Sequence, residues 1–217
     1  MEELHEFCAR VLGDGDAAAQ AALQAGAVGG GDRVERLTAA AAACRTGEPE
    51  HPEPPGEPGT PEPGQLAQTV ARELAYATAQ LPQRQREALV LRELLRLSHD
   101  QMASVIGIQP VAAAPLLARA RLALRAQLRG AGEPVAECPE RDRSLASITR
   151  RQDAESLSEA EDSWLLEHLG NCAACTAAHA AMLEASVCYR AWQVDLGAVE
   201  SERPGCGGQT DCALADP

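Results

Sequence analysis

The chain has 217 residues and a formal net charge of −13, and all 19 of its positive charges are arginines. Only five residues are aromatic while glycine and proline number 18 and 14, so one large core would pack poorly and several small modules are expected. No apolar run approaches the roughly 18–20 residues of a membrane span, and the acidic start is unlike a secretory leader, so we expect a soluble cytoplasmic protein.

The charge is unevenly distributed along the chain. Residues 65–129 hold 9 arginines against 4 acidic residues. The other segments are acidic, with 4 arginines against 7 acids over 1–45, none against 5 over 46–64, and 6 against 16 over 130–217. The basic block is a candidate surface for a polyanion or an acidic protein, and its acidic neighbours would compete for it.

Apolar residues recur at helical spacing and no alternating strand of useful length is present. The sequence therefore predicts an all-α fold of small helical modules joined by flexible linkers. The predicted segments, in chain order, are two Ala-rich helical patterns in 1–45 (about Glu2–Val28 and Asp32–Cys44), an acidic Pro-rich linker at 46–64, a helical module at 65–129, a helical module at 130–196 with patterns at 156–169 and 172–192, and a disordered tail at 197–217.

The N-terminal run from Phe7 to Leu23, FCARVLGDGDAAAQAAL, is similar to a helix pair in sigma factor region 2. The family's acidic pair is replaced here by Ala18-Ala19. No aromatic residue lies between Phe7 and Tyr76, so this segment cannot open a promoter by stacking flipped bases on aromatic rings. We interpret residues 1–45 as a degenerate region 2-like segment, with a small Ala-rich helical hairpin as the alternative.

The centre of the chain begins with a helix that Pro82 starts. Ala88, Leu91 and Leu95 share one face of this helix.

A second short helix follows, in which Ser98 and Gln101 predict a capping box and Gly107 predicts a left-handed end. Ile108 would fill the core across the turn, and a longer helix is predicted from Pro110 to about Leu128. Two helices joined by a glycine-containing turn form a helix-turn-helix.

The run LPQRQREALVLRELLRLSHDQMASVIGI, followed by ARARLALRAQL, resembles region 4 of the extracytoplasmic-function sigma factors. The resemblance implies a module that binds the promoter −35 element and RNA polymerase. An unrelated amphipathic helical hairpin is the alternative.

The predicted reading helix departs from this family. Ala112, Ala114, Pro115 and Leu116 stand where the family carries Thr, Lys, Ser and Arg. These apolar residues cannot make base or phosphate contacts, and Pro115 is expected to kink the helix in the middle of its reading face. Sequence-specific binding should therefore be impaired. The remaining candidate DNA contacts, which could equally form a solvated face, are Gln109, Arg119, Arg121 and Arg125, with Arg129 beyond them.

The C-terminal module carries the sharpest chemical motif, His168-x3-Cys172-x2-Cys175. The spacing places both thiols on one face at a helix N-terminus, which favours thiolate. One imidazole and two thiolates suit tetrahedral Zn²⁺, which needs a fourth ligand. Cys138 is the first choice for that ligand and His179 the second.

This motif, with the stretch LSEAEDSWLLEHLGNCAAC and a cysteine upstream, resembles the zinc-binding anti-sigma domain over residues 138–192. The resemblance implies a helical bundle that holds a sigma factor, with zinc in a structural role. Unliganded thiols on a helix are the alternative. The other cysteines (Cys8, Cys44, Cys188, Cys206 and Cys212) are interpreted as inert thiols, and the other histidines (His5, His51 and His99) as solvated surface residues.

The sequence therefore predicts a transcription regulator that binds promoter DNA and/or RNA polymerase and is modulated by a zinc-binding anti-sigma-like module. A DNA-incompetent adaptor that binds another sigma factor or a polymerase subunit is the alternative. A thiol-based redox sensor is compatible with both. We expect no enzymatic activity and no small-molecule substrate, because the sequence shows no nucleophile–base set and no phosphate loop.

Overall fold

The computed structural model describes residues 1–13, 15–27, 31–47, 66–130 and 137–192, with the isolated positions 49, 52 and 54. These residues form helices and no strand, which confirms the all-α prediction. The α-helices of this part of the chain are α1 (Glu2–Leu12), α2 (Asp16–Ala27), α3 (Arg33–Thr46), α4 (Leu66–Ala79), α5 (Gln83–Leu89), α6 (His99–Ile106), α7 (Ala113–Arg129), α8 (Arg141–Gln152), α9 (Glu159–Asn171) and α10 (Ala173–Ala191).

Two short helical turns of other types lie between α5 and α7. A π-helical turn at Val90–Leu94 continues α5, and a 3-10 turn at Pro110–Ala112 leads into α7. No single helix in the described ranges is long and apolar enough to span a membrane. Among them, only α6 taken together with Pro110–Arg129 would suffice by length and composition, and that pair is bent by 104°.

The N-terminal helices, α1–α3, form a small bundle. The predicted pattern Glu2–Val28 is two helices because Gly13 takes a φ of 101°, which a residue with a side chain rarely adopts, and ends α1. Asp32 and Glu35 form a reciprocal capping box that starts α3. Phe7 and Leu37 are fully buried between these helices.

One apolar core joins the N-terminal helices, α4–α7 and the end of α10. It extends from Leu4 on α1 through Leu89 and Leu117 to Tyr189 and Trp192. The segments that the sequence separates are thus packed together in space. The predicted linker 46–64 lies almost entirely outside the described residues, and the predicted tail 197–217 lies outside them altogether.

The C-terminal helices, α8–α10, enclose a smaller core with α7. Its buried members are Ala118 from α7, Leu145 and Ile148 from α8, Leu165 from α9, and Ala178 and Met182 from α10. The sequence patterns at 156–169 and 172–192 correspond to α9 and α10, but α8 was not predicted. Its buried face includes Ser144, Ser147 and Thr149, and these polar residues conceal the helical period.

Candidate nucleic-acid interface and metal centre

The short helix α6 of the helix-turn-helix begins and ends as predicted. The Ser98 hydroxyl accepts a hydrogen bond from the Gln101 backbone N–H at 3.2 Å, and the Gln101 side chain accepts one from the Ser98 N–H at 3.0 Å. Gly107 ends α6 in the left-handed conformation with φ 74° and ψ 46°. Ile108 is half-buried against the larger core. The capping box and the glycine end of α6 are therefore confirmed.

The start of α7 differs from the expectation. Pro115 lies in the first turn of α7, where a missing N–H costs no helical hydrogen bond, and the helix continues unbroken to Arg129. The predicted kink in the middle of the reading face is wrong for this reason. The region is nevertheless apolar, because Val111 is 84 % exposed while Ala114 and Leu117 are buried.

The predicted DNA contacts on this helix separate into two groups. Gln109 and Arg119 are exposed. Arg121 is fully buried in the arrangement in which Asp153 contacts it, so the structure corrects its assignment to a surface that DNA can reach while that contact is in place. The cause is the helical period, since Arg121 lies four residues after Leu117 and three before Leu124, both of which are also fully buried.

Arg125 and Arg129 near the end of α7 are engaged with the C-terminal helices. Arg125 lies 3.4 Å and Arg129 2.9 Å from the carboxylate of Glu184 on α10. The side chain of Arg129 is 61 % exposed, so its ion pair is a weak, solvent-screened one.

A buried ion network connects Arg121 to the C-terminal helices. Its Nε donates to Glu93 at 2.8 Å and its Nη2 donates to Asp153, the residue after α8, at 2.7 Å. Glu93 also accepts hydrogen bonds from Ser186 at 2.8 Å and from Arg190 at 2.6 Å, both on α10. Charged groups of the helix-turn-helix and of the C-terminal helices therefore neutralise each other away from water.

His99, predicted to be solvated, is 5 % exposed. Its Nε2 lies 2.9 Å from Asp153 Oδ2 and its Nδ1 lies 2.7 Å from Glu155 Oε2. Its backbone N–H donates to Glu155 Oε1 at 2.9 Å. The prediction is wrong because residues 153–155 cover the N-terminus of α6, a long-range contact with no local signature.

The environment of Asp153 holds it in the ionised form. Burial alone would raise its pKa, but the hydrogen bond with His99 and the charges of Arg121 and Arg92 lower the pKa to about 2. The carboxylate is therefore a permanent negative charge at neutral pH.

The predicted zinc ligands converge. One ligand atom from each of Cys138, His168, Cys172 and Cys175 lies within 4.8 Å of every other, and the Cys138 Sγ is 3.5 Å from the His168 Nε2. His179, the second choice for the fourth ligand, is not in this group.

Local structure explains how these ligands meet. His168 lies in the last turn of α9, and its backbone carbonyl accepts a hydrogen bond at 2.8 Å from the N–H of Cys172, the N-cap residue of α10. The His168 ring stacks on Trp164 with centroids 5.2 Å apart, and the Arg143 guanidinium lies 3.7 Å from the Trp164 ring centroid on α9. The stack holds the imidazole towards the thiols.

The donor set fits a metal ion. The backbone N–H of Cys175 lowers the pKa of Cys172, while burial raises the pKa of Cys175 to about 11. A tetrahedral zinc with Zn–S bonds of about 2.3 Å places its sulfurs roughly 3.8 Å apart, a spacing compatible with ligand atoms that all lie within 4.8 Å of one another. The group could therefore hold zinc, which would also bring the buried Cys175 to its thiolate form.

The remaining cysteines and histidines have varied surroundings. Cys8 and Cys44 are fully buried in the larger core, and Cys188 and His5 are half-buried. A hydrogen bond with Cys8, together with burial, raises the pKa of Cys44, which is consistent with an inert thiol. Cys206, Cys212 and His51 lie outside the described residues.

Comparison with known families identifies the centre of the chain. Residues 71–124 match the model of the family described as Sigma-70, region 4. This segment, roughly a quarter of the chain, is thus a sigma-like helix-turn-helix of the kind that contacts DNA and RNA polymerase in transcription. Neither the curated proteins nor the solved structures give a match to the chain.

Proposed function

We propose that the chain is a transcription regulator whose region 4-like helix-turn-helix binds promoter DNA, RNA polymerase or both, and whose C-terminal helices modulate that binding in an anti-sigma-like manner. The observation that carries the proposal is the contact between these two parts. In a helix-turn-helix the second helix enters the major groove. Here that helix, α7, packs against α8 and α10 through Ala118 and through the buried Arg121.

Covering of α7 explains how binding would be controlled. The face of α7 that shares a core with Leu145, Ile148 and Met182 is closed to DNA, while Gln109 and Arg119 stay exposed. Binding that uses the covered face requires the C-terminal helices to move away, and the free energy of that contact is then subtracted from the affinity for DNA or polymerase. The chain would work alongside RNA polymerase in the cytoplasm.

We assign zinc to the Cys138, His168, Cys172 and Cys175 cluster as a structural ion. Four protein ligands leave no open position for a substrate, so the metal would supply folding energy rather than chemistry. It would connect Cys138, just before α8, to the junction of α9 and α10. The small core of the C-terminal helices would then depend on the metal for its arrangement.

The adaptor function remains the second candidate, and one observation favours it. The first turn of the reading helix presents the apolar, 84 % exposed Val111 and no cation among Pro110–Leu117. An apolar first turn fits a protein partner, such as another sigma factor or a polymerase subunit, better than it fits phosphates.

Salt-dependent binding separates the two candidates. Residues 1–130 are the appropriate fragment, because the N-terminal helices share a core with the helix-turn-helix. The logarithm of this fragment's association constant for DNA should fall linearly with the logarithm of the salt concentration. If the fragment has no salt-sensitive affinity for duplex DNA at 50 mM salt but retains polymerase or a sigma factor in a co-purification, the adaptor function replaces the DNA-binding one.

The metal assignment is tested by metal content. The full chain should contain one zinc per molecule, and Cys172→Ser should lose most of it. Cys188→Ser is the matched control, since Cys188 is half-buried on the same helix and outside the cluster. Full zinc content in Cys172→Ser would remove this residue from the ligand set.

A further inference from the structure

The helix-turn-helix binds two carboxylates through groups that all belong to it. Asp153 contacts His99 Nε2 at 2.9 Å, Arg121 Nη2 at 2.7 Å and Arg92 Nε at 3.4 Å. Glu155 contacts the backbone N–H of His99 at 2.9 Å and the Nδ1 of its ring at 2.7 Å. The contacting groups come from residues 92–121 and the carboxylates come from the segment that follows α8. The helix-turn-helix therefore provides a binding site, and the segment that follows α8 is its occupant.

The site has the composition of a phosphate-binding site. It combines the N-terminal N–H of a helix and two guanidinium groups, which commonly hold phosphate oxygens in protein–DNA complexes, with an imidazole whose ring N–H can also donate to an anion. In a helix-turn-helix, the first helix of the pair crosses the DNA backbone. The N-terminus of α6 is the part of that helix at which this site lies.

The burial of the side chains indicates a formed site. His99 is 5 % exposed, Asp153 7 % and Arg121 0 %. The Nη1 of Arg121, on the same guanidinium that contacts Asp153, has no hydrogen-bond partner within the described part of the chain. By contrast, the side chain of Glu155 is 27 % exposed, which places it at the mouth of the site.

We propose that this site on the helix-turn-helix binds phosphate groups of a nucleic-acid backbone, and that Asp153 and Glu155 occupy it in the closed chain as substitutes for those phosphates. The proposal rests on the proposed DNA-binding function. It names the groups for which the C-terminal helices and DNA compete. Covering of α7 and occupation of the phosphate site are then two separate parts of the same inhibition.

Charge-neutral substitutions in the full chain test the competition. Glu155→Gln and the double variant Asp153→Asn/Glu155→Gln keep the shape of the occupant and remove its charge. The control Asp162→Asn makes the same change in an exposed, 3.0 Å ion pair with Arg151, away from the helix-turn-helix. The probe is a 30-base-pair duplex of mixed sequence, titrated by fluorescence anisotropy between 50 and 200 mM salt.

The double variant should bind the duplex about tenfold more tightly than the wild-type chain, within the usual range of coupling between two sites, and Glu155→Gln should show a smaller gain. Asp162→Asn should not change the affinity. Adding His99→Ala to Glu155→Gln should then weaken binding and reduce the salt slope by about one phosphate contact.

The contrary outcomes are distinct. Equal binding by the wild-type chain and by every variant would overturn the phosphate site and leave the DNA-binding function intact. An affinity gain that His99→Ala does not reduce would mean that the carboxylates merely hold the cover in place, which also overturns the site. If no variant binds the duplex at 50 mM salt, the proposed DNA-binding function itself fails.

Discussion

The helix-turn-helix is covered from two sides by contacts of different chemistry. On the side of the N-terminal helices the contact is mainly an apolar core, with Phe7, Leu12 and Leu37 among the fully buried side chains, and its ionic part is the pair of Arg45 with the buried Glu87 at 3.0 Å. On the side of the C-terminal helices, a small apolar core is accompanied by the buried ions Glu93, Arg121 and Asp153. Apolar burial has no competing partner other than water, whereas an ionic contact can be replaced by other ions. The N-terminal contact should therefore be permanent and the C-terminal one releasable.

The end of α10 connects the two sides. Trp192 lies under the Arg10 guanidinium, 3.9 Å from its ring centroid, and its backbone carbonyl accepts a hydrogen bond from Arg10 at 2.6 Å. Tyr189 is fully buried in the larger core. Release of the C-terminal helices must therefore expose two aromatic side chains, which limits release to conditions that also favour a competing partner.

The largest expected effect is on the N-terminal side. Phe7→Ala should lower the free energy of unfolding by about 3–5 kcal/mol, because it leaves a cavity in the core that the N-terminal helices share with the helix-turn-helix. Chemical denaturation monitored by circular dichroism measures the loss. Leu23→Ala, at a side chain 63 % exposed, is the control and should cost little. Loss of α1–α3 without loss of α4–α7 would contradict a permanent contact.

A cavity on the other side should act locally. Met182→Ala removes a fully buried side chain from the small core and should cost about 2–5 kcal/mol. Hydrogen exchange should accelerate in α8–α10 while α1–α3 keep their protection. The neighbouring Leu183→Ala, 42 % exposed, provides the comparison. Equal acceleration over the whole chain would mean that α8–α10 do not open independently of α1–α3.

Acid should weaken the C-terminal contact selectively. Asp153 has a folded pKa of about 2, below the roughly 3.9 of an unfolded chain, so its contribution of about 2 kcal/mol is present above pH 4 and is lost as the pH falls towards 2. Urea unfolding of the wild-type chain and Asp153→Asn at pH 5 and at pH 2.5 measures this contribution. The gap between the two proteins should narrow markedly at the lower pH, and a constant gap would contradict the assignment.

The smallest effect is expected at the edge of the ion network. Arg190 donates to Glu93 at 2.6 Å, but its side chain is 37 % exposed and water screens the pair. Arg190→Ala should therefore cost no more than about 1 kcal/mol, with a cost that falls as salt rises. Thermal unfolding at 50 and 500 mM salt tests this, and a larger, salt-independent loss would place Arg190 in the buried network.

The sequence predicted those features whose cause is local. The Ser98–Gln101 capping box, the left-handed Gly107 and the convergence of His168 with Cys172 are consequences of spacing within a few residues. Cys138, the first choice for the fourth ligand of a tetrahedral ion, lies about thirty residues upstream of His168, and the structure brings it to the same cluster.

Features that depend on distant contacts could not be predicted in this way. His99 is buried by residues more than fifty positions away, and α8 hides a buried face behind serines and a threonine. Arg121 is different, because the buried positions Leu117 and Leu124 on the same helix provide a periodic signal that could have placed it on the inner face.

Reconstitution from two pieces tests the releasable contact most directly. Residues 1–130 and residues 131–217, produced separately with zinc and mixed in a calorimeter, should form a one-to-one complex, because α8–α10 would dock on α7 as they do in the intact chain. Duplex DNA should displace the C-terminal piece, and higher salt should weaken the complex. Failure of the two pieces to associate, or a complex that binds DNA as tightly as residues 1–130 alone, would contradict the account.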